Sequence, residues 1–309
     1  SAVSSDLPII IKNGYIRNFI GDGLATATSA ASLVVHNVHV DDCLDGIDSI
    51  GTANLIDCSA RNCAGDGIRI NSSGRSAVVR CIAENNALDG IQIDNGSARD
   101  CSAFLNGAAG FLSGSDTTLS GCVSQNNITG FSTSAGATLD NCVASINTGS
   151  GFACSTSTTL INCAARSNGS IGFITSNGSA FENCSARLNT LEGFVTGAGS
   201  VVTNCVAASN QEDGFQLNSD TRIFNCAADG NGTAGANFAG IRGSSDTTID
   251  SCTVTDNPTG IIGGNGGFVT RCAAAGNTTP YDMTGTDHGL IITPAGGFTS
   301  SNAWANISY

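Results

Sequence analysis

One phrase returns thirteen times along this chain: a branched apolar residue, two further residues, Cys-x-Ala, an Asn, then Gly-Phe or Gly-Ile. The Cys marks copies at Cys58, Cys81, Cys101, Cys122, Cys142, Cys163, Cys184, Cys205, Cys226, Cys252 and Cys272. Two degenerate copies come first, with Gly14 and Asn37 in the Cys slot. Successive copies lie 20 to 26 residues apart, a period that means a solenoid and excludes a closed globular fold. A single copy cannot bury its apolar face alone, so each must stack on the next.

The residues inside the phrase decide which solenoid this is. Three positions before the Cys stand apolar residues, Ile11 and Val34 in the degenerate copies and Leu55, Leu139 and Phe181 later, and two positions after it stand alanines such as Ala60 and Ala144. Side chains on a flat strand alternate with period two, so inward positions at an odd separation require a bend between them. The residue before the Cys, as in Asp57, Asn141, Asn162 and Asn204, is of the type that tolerates a left-handed backbone. Five positions after the Cys an Asn column, including Asn86, Asn106 and Asn127, marks a second corner, and Gly-Phe or Gly-Ile opens another strand. No segment has helical periodicity. The chain is therefore predicted to be all-β: a right-handed parallel β-helix of about thirteen coils of 20–26 residues, three short strands per coil. Residues 1–277 are expected to form it and 278–309, with the single Trp304, to cap it.

Composition narrows the partners. A net charge of −13 with one lysine, Lys12, argues against nucleic acid, and no apolar run is long enough for membrane insertion. Eleven of the fourteen cysteines form the repeat column, where parallel side chains are poorly placed for a disulfide torsion and behave as small core hydrophobes. Cys43 and Cys63 occupy nearly the same corner of adjacent coils and are the disulfide candidate. His36 is expected at an exposed corner, whereas His39 falls in the slot that is small in later coils and should point inward near Ile16 and Ala60.

Chemistry concentrates in the early coils. Asp22, Asp45, Asp66 and Asp89 recur just before the Gly of the third strand, and stacked carboxylates repel unless protonated, hydrogen-bonded or bridged by a cation. A calcium site on this column is one reading, with no cofactor required otherwise; the plainer reading is Asp accepting backbone N–H groups at a turn. Beside the column stand Asp48, Arg69, Gln92 and Asp94. Asp45, Asp48, Asp66 and Arg69 are the candidate catalytic set, because paired carboxylates can act on a glycosidic bond and an Arg can hold a uronate. Gln92 and Asp94, with Ile174 and Val195 from an apolar outward stripe that also takes in Leu112 and Ala153, form the candidate binding surface.

The repeat written Leu139-Asp140-Asn141-Cys142-Val143-Ala144, then Asn147 and Gly151-Phe152, resembles the pectate-lyase-like superfamily, and the ending Asn302-Ala303-Trp304-Ala305-Asn306 looks like that of some uncharacterised bacterial members. The resemblance covers nearly all the repeats and implies the fold; the superfamily includes pectate lyases, polygalacturonases, alginate epimerases and phage tailspikes. It does not extend to catalytic motifs. Asp41-Asp42 stands without the companions expected in a polygalacturonase, His288 is preceded by Asp, and the epimerase signature is missing.

These features lean away from an enzyme. The leading expectation is a non-catalytic secreted or cell-surface β-solenoid with a structural, self-assembling or carbohydrate-binding role, associating end to end or laterally. The alternative is a polysaccharide-active lyase or glycoside hydrolase working on the acidic face of the early coils.

Overall fold

The computed structural model describes residues 2–3, 9–26, 29, 32–289, 291–292 and 305–308, divided into two compact units, 1–155 and 156–309. The fold is the expected parallel β-solenoid of about thirteen coils, without a helix among the described residues. In the first unit Leu24–Thr26, Ile47–Ser49, Ile68–Ile70, Ile91–Ile93, Ala109–Ser113, Thr129–Thr133 and Phe152–Cys154 stack in parallel, rung on rung. The other two strands of each coil stack likewise, as Ser76–Val79 under Gly96–Arg99 and Ile82–Glu84 under Ser102–Phe104. The second unit repeats the scheme through Phe173–Thr175, Phe194–Val195, Phe215–Gln216, Ala239–Arg242 and Thr259–Ile262.

Like stacks on like inside. Phe111 and Phe131 are parallel at 4.9 Å and Phe131 and Phe152 at 4.8 Å. In the second unit Phe194 lies between Phe173, 4.8 Å away, and Phe215, 4.7 Å away, with Phe181 edge-on at 5.6 Å. The Asn column is a buried amide ladder: Asn86 Nδ2 donates to Asn106 Oδ1 at 2.9 Å and Asn106 Nδ2 to Asn127 Oδ1 at 3.0 Å. In the second unit Asn189, Asn210 and Asn231 continue the same pattern at 2.8–3.2 Å. A buried amide without a partner costs several times what the bond itself contributes, so the ladder is required at this position and not optional.

The corners are where the residue types place them. The residue before the Cys is left-handed at Asp57 (φ 56°), Asn141 (φ 53°) and Asn204 (φ 54°). At the second corner the left-handed residue is not the ladder Asn but the one before it, Asn62, Asn85 or Asn126 and, in three coils, the apolar Leu105, Ile146 or Leu188. The Asn itself faces inward.

Register corrects the reading of the first coils. Gly14 pairs with Val38, and His39 with Ser59, so Val38 and not Asn37 fills the Cys slot, and the buried Val35 replaces Val34 in the apolar column. Asn37 is the corner, at φ 51°. A slip of one residue turns every side chain to the other face. His39, expected inside, is therefore exposed, and Val40 is the buried residue beside Ala60. His36 is half-buried rather than exposed.

All fourteen cysteines are free and buried. The disulfide expected between Cys43 and Cys63 is not formed. These residues occupy the foot of the Asn column, where Cys63 N donates to Asn86 Oδ1 at 3.0 Å, and their thiols donate to backbone carbonyls, Cys43 to Asp41 and Cys63 to Arg61. Burial pushes the Cys63 thiol up to about 11 and that of Cys154 to about 12. Iodoacetamide at neutral pH without reductant should leave the native thiols unmodified and label all fourteen after denaturation; a pair at Cys43 and Cys63 that is labelled in the denatured chain only after reduction would contradict this.

Strands stack beyond residue 277: Thr279–Asp282 on Thr259–Ile262, Asp287–His288 on Phe268–Val269, and Asn306–Ser308 on Ala273–Ala274. Asn306 joins the Cys column by accepting the Cys272 N–H at 2.9 Å. Trp304 lies outside the described residues.

Candidate functional site

The acidic column is a structural ladder. Each Oδ1 accepts the backbone N–H of the following coil: Asp22 from Asp45 at 3.3 Å, Asp45 from Asp66 at 2.7 Å, Asp66 from Asp89 at 2.9 Å and Asp89 from Ala109 at 2.7 Å. Arg69 projects between the carboxylates from the outer strand face, bidentate on Asp48 at 3.0 and 2.8 Å, 3.1 Å from Asp45 Oδ2 and 3.8 Å from Asp66 Oδ2. Asp45, Asp48, Asp66 and Arg69 are thus brought together, but as a mutually satisfied network. Burial holds Asp45, Asp66 and Asp89 above the usual carboxylate range, and the Asp48 contact raises Arg69.

The calcium reading of Asp22, Asp45, Asp66 and Asp89 does not fit this arrangement. One oxygen of each is taken by a backbone donor, the second oxygens of Asp45 and Asp66 face a guanidinium, and among the described residues no group of three or more His, Cys, Asp or Glu is placed to hold a metal. A carboxyl whose folded pKa is raised stabilises the fold fully below its unfolded pKa, and that contribution is lost as pH rises through the folded pKa. Asp89 has no arginine partner among the described residues, and Asn at this position would keep the acceptor for Ala109. Asp89→Asn should therefore hold or raise the thermal midpoint at pH 7 and flatten its fall between acid and neutral pH; a large loss of stability would show the charge itself is needed.

Gln92 Nε2 donates to Asp94 Oδ1 at 3.2 Å on the same face, so these two binding candidates satisfy each other. In the second unit Ile174 and Val195 are adjacent half-buried rungs. His288 is exposed and turned to its own neighbour, the Gly289 carbonyl, at 2.9 Å.

A different constellation lies on the outer face of the second strands of the first coils, those that carry the Cys-x-Ala slots. Two rows of side chains stand there in register, Tyr15, His39 and Ser59, and beside them Arg17, Asp41, Arg61 and Glu84. Of these, Tyr15, His39, Ser59, Asp41 and Arg61 line a cleft of about 450 Å³ together with Asp57, Asn62 and Arg80 from the two corners. Tyr15 Oη donates to Asp41 Oδ2 at 3.1 Å, Asn62 Nδ2 to Asp41 Oδ1 at 2.7 Å, and His39 Nδ1 is 2.8 Å from Ser59 Oγ. Arg80 is bidentate on Asp57 at 2.7 and 2.9 Å, Arg61 lies 3.2 Å from Glu84, and the Arg17 guanidinium sits 5.8 Å over the Tyr15 ring. The bond to Asp41 raises the Tyr15 pKa, so its hydroxyl keeps its proton. An imidazole and a protonated phenol thus open on the same cleft, one rung apart, with guanidinium groups around them. The misplaced register hid this site in the sequence; the outward run Tyr15, His39, Ser59 was the signal available.

The family model described as "right handed beta helix region" matches residues 3–102. Among solved structures, the A-module of a mannuronan C-5 epimerase from Azotobacter vinelandii is similar, with 16% identity, 89% of this chain and 88% of that chain covered and a TM-score of 0.53. A double mutant of the periplasmic alginate epimerase AlgG is also similar, at 11% identity, covering 100% of this chain and 77% of the other, with a TM-score of 0.50. No curated protein sequence matches the chain. The fold is the right-handed parallel β-helix. Among the described residues no helix is long and apolar enough to cross a membrane. The leading expectation of a non-catalytic structural solenoid is corrected: the structures it resembles are named as epimerases of polysaccharides, which backs the polysaccharide-active alternative instead.

Proposed function

We propose that this right-handed parallel β-helix is a polysaccharide-active enzyme, working outside the cytoplasm on a uronate-bearing polymer at the cleft of its first coils. The observation that carries the reading is the convergence of Tyr15, held protonated by Asp41, and His39, held by Ser59, on one open cleft of about 450 Å³. His39 takes the proton next to the sugar carboxylate, Tyr15 supplies one, and Arg61 and Arg80 offset the carboxylate charge. The Ser59 contact fixes the imidazole ring by its Nδ1, leaving Nε2 as the working nitrogen. The epimerases named above act on mannuronan and alginate, which are uronate polymers, and that supports the choice of substrate class.

The test is a panel of alginate, polygalacturonate, glucuronan and neutral glycans. New reducing ends report hydrolysis, unsaturated uronate absorbance reports elimination, and deuterium uptake from D2O by NMR reports epimerisation. One of the three signals is expected on an acidic polymer, with and without added calcium. Silence in all three across the panel would end the proposal.

A further inference from the structure

The second unit carries a pocket of its own, of about 300 Å³, on the outer face of its Gly-Phe strands. Val195, Gln216 and Arg242 are successive rungs of that face, and Asn218 and Ser244 close the pocket from the following turns. Arg242 is immobilised. Its Nε donates to Asp213 Oδ2 at 2.5 Å and its Nη2 to Asp213 Oδ1 at 3.1 Å and to the Asn237 carbonyl at 2.5 Å. Asp213 is 4% exposed and also accepts the Ala239 N–H at 2.5 Å, so a buried carboxylate fixes the arginine and the return of the 26-residue coil to the strand.

This arrangement sets the charge of the pocket. The one cation is compensated by a buried partner, and the chain as a whole carries −13, so an anionic ligand gains little there. What remains are neutral groups: among the described residues neither the Gln216 amide nor the Ser244 hydroxyl has a hydrogen-bond partner, and both are half-exposed. Val195 adds an apolar floor beside them. Uncommitted donors and acceptors beside an apolar side chain match a ligand with several hydroxyls on one side and C–H groups on the other. We propose that the pocket at Val195, Gln216, Arg242 and Ser244 is a second saccharide-binding site, for an uncharged pyranose unit, separate from the cleft of the first unit. It rests on no activity at that cleft.

The test is direct binding to the whole chain by calorimetry and saturation-transfer NMR, with cellobiose, maltose, lactose, xylobiose and mannobiose set against glucuronate and galacturonate. At least one neutral disaccharide is expected to bind, and both Gln216→Ala and Ser244→Ala should weaken it about tenfold, roughly 1.4 kcal/mol, with unchanged far-ultraviolet dichroism. His39→Ala should leave that affinity unchanged. Three results overturn the proposal: no neutral sugar binds at tens of millimolar, the uronates bind as tightly, or binding is lost in His39→Ala and kept in Gln216→Ala. Because the readout is affinity alone, an inactive first unit with intact binding here would separate the two proposals.

Discussion

His39→Ala should reduce kcat/KM on the polysaccharide substrate by roughly 10²–10⁴-fold, the range that removal of a general base produces, with little change in thermal midpoint. His39 is exposed and its imidazole is held by a hydrogen bond to Ser59, so the side chain can be removed without opening the core. Tyr15→Phe should fall in the same range, since it keeps the ring under Arg17 and removes only the hydroxyl bonded to Asp41. The pH profile distinguishes catalysis from packing. The Asp41 bond raises the Tyr15 pKa, so the protonated phenol persists further into alkaline pH, and the alkaline limb of the profile should move down in Asp41→Asn. Activity within threefold of the parent in both His39→Ala and Tyr15→Phe would rule out the cleft, and turnover lost instead in Arg69→Gln would move attention to the acidic ladder.

Phe194→Ala should destabilise the second unit by about 3–5 kcal/mol, the usual cost of deleting a fully buried aromatic side chain. Phe194 has two parallel ring neighbours, and Phe181 packs on its edge, so three partners lose contact and the rigid strand ladder around them limits collapse into the void. Leu at this position should recover part of the loss by refilling volume without restoring the ring stack. Urea unfolding followed by dichroism checks this. A cost below about 1 kcal/mol would mean that the neighbouring rungs close over the gap.

The period and the residue types at the corners were enough to read the coil, because stacking forces each slot to repeat the same environment. Cys142, Asn147 and Phe152 each sit where their column demands. Legibility failed where the repeat is weakest. The first coils lack the Cys, and the spacing from Gly14 to Val38 admits two alignments that differ by one residue, so His39 went to the wrong face. The site then could not be seen. Its side chains come from four coils, and nothing in the order Tyr15, His39, Asp41, Ser59, Arg61, Arg80 marks them as neighbours until the register is known. The acidic column drew attention because it is periodic, yet periodicity in this fold reports structural need: each carboxylate repeats because each following coil presents a backbone N–H to be met.

The buried amide ladder has a direction. From Asn86 to Asn127 in the first unit, and from Asn189 to Asn257 in the second, every Oδ1 faces the earlier coil, and each amide gives one N–H to the Oδ1 of the next Asn and one to a backbone carbonyl of the coil before, as Asn106 does to Ala83 and Asn210 to Ala186. The amide dipoles therefore add along each unit, and each bond polarises the next. The two ends of such a chain have different chemical needs: the early end must be met by a donor and the late end by an acceptor. In the first unit Cys63 meets the early end through its backbone N–H, and in the second unit Asn277 meets the late end, its Oδ1 accepting from Asn257 while its own amide donates to the carbonyls of Val254 and Ala275. Coils could be inserted or deleted within either unit without disturbing its terminator, but the ladder cannot be run backwards.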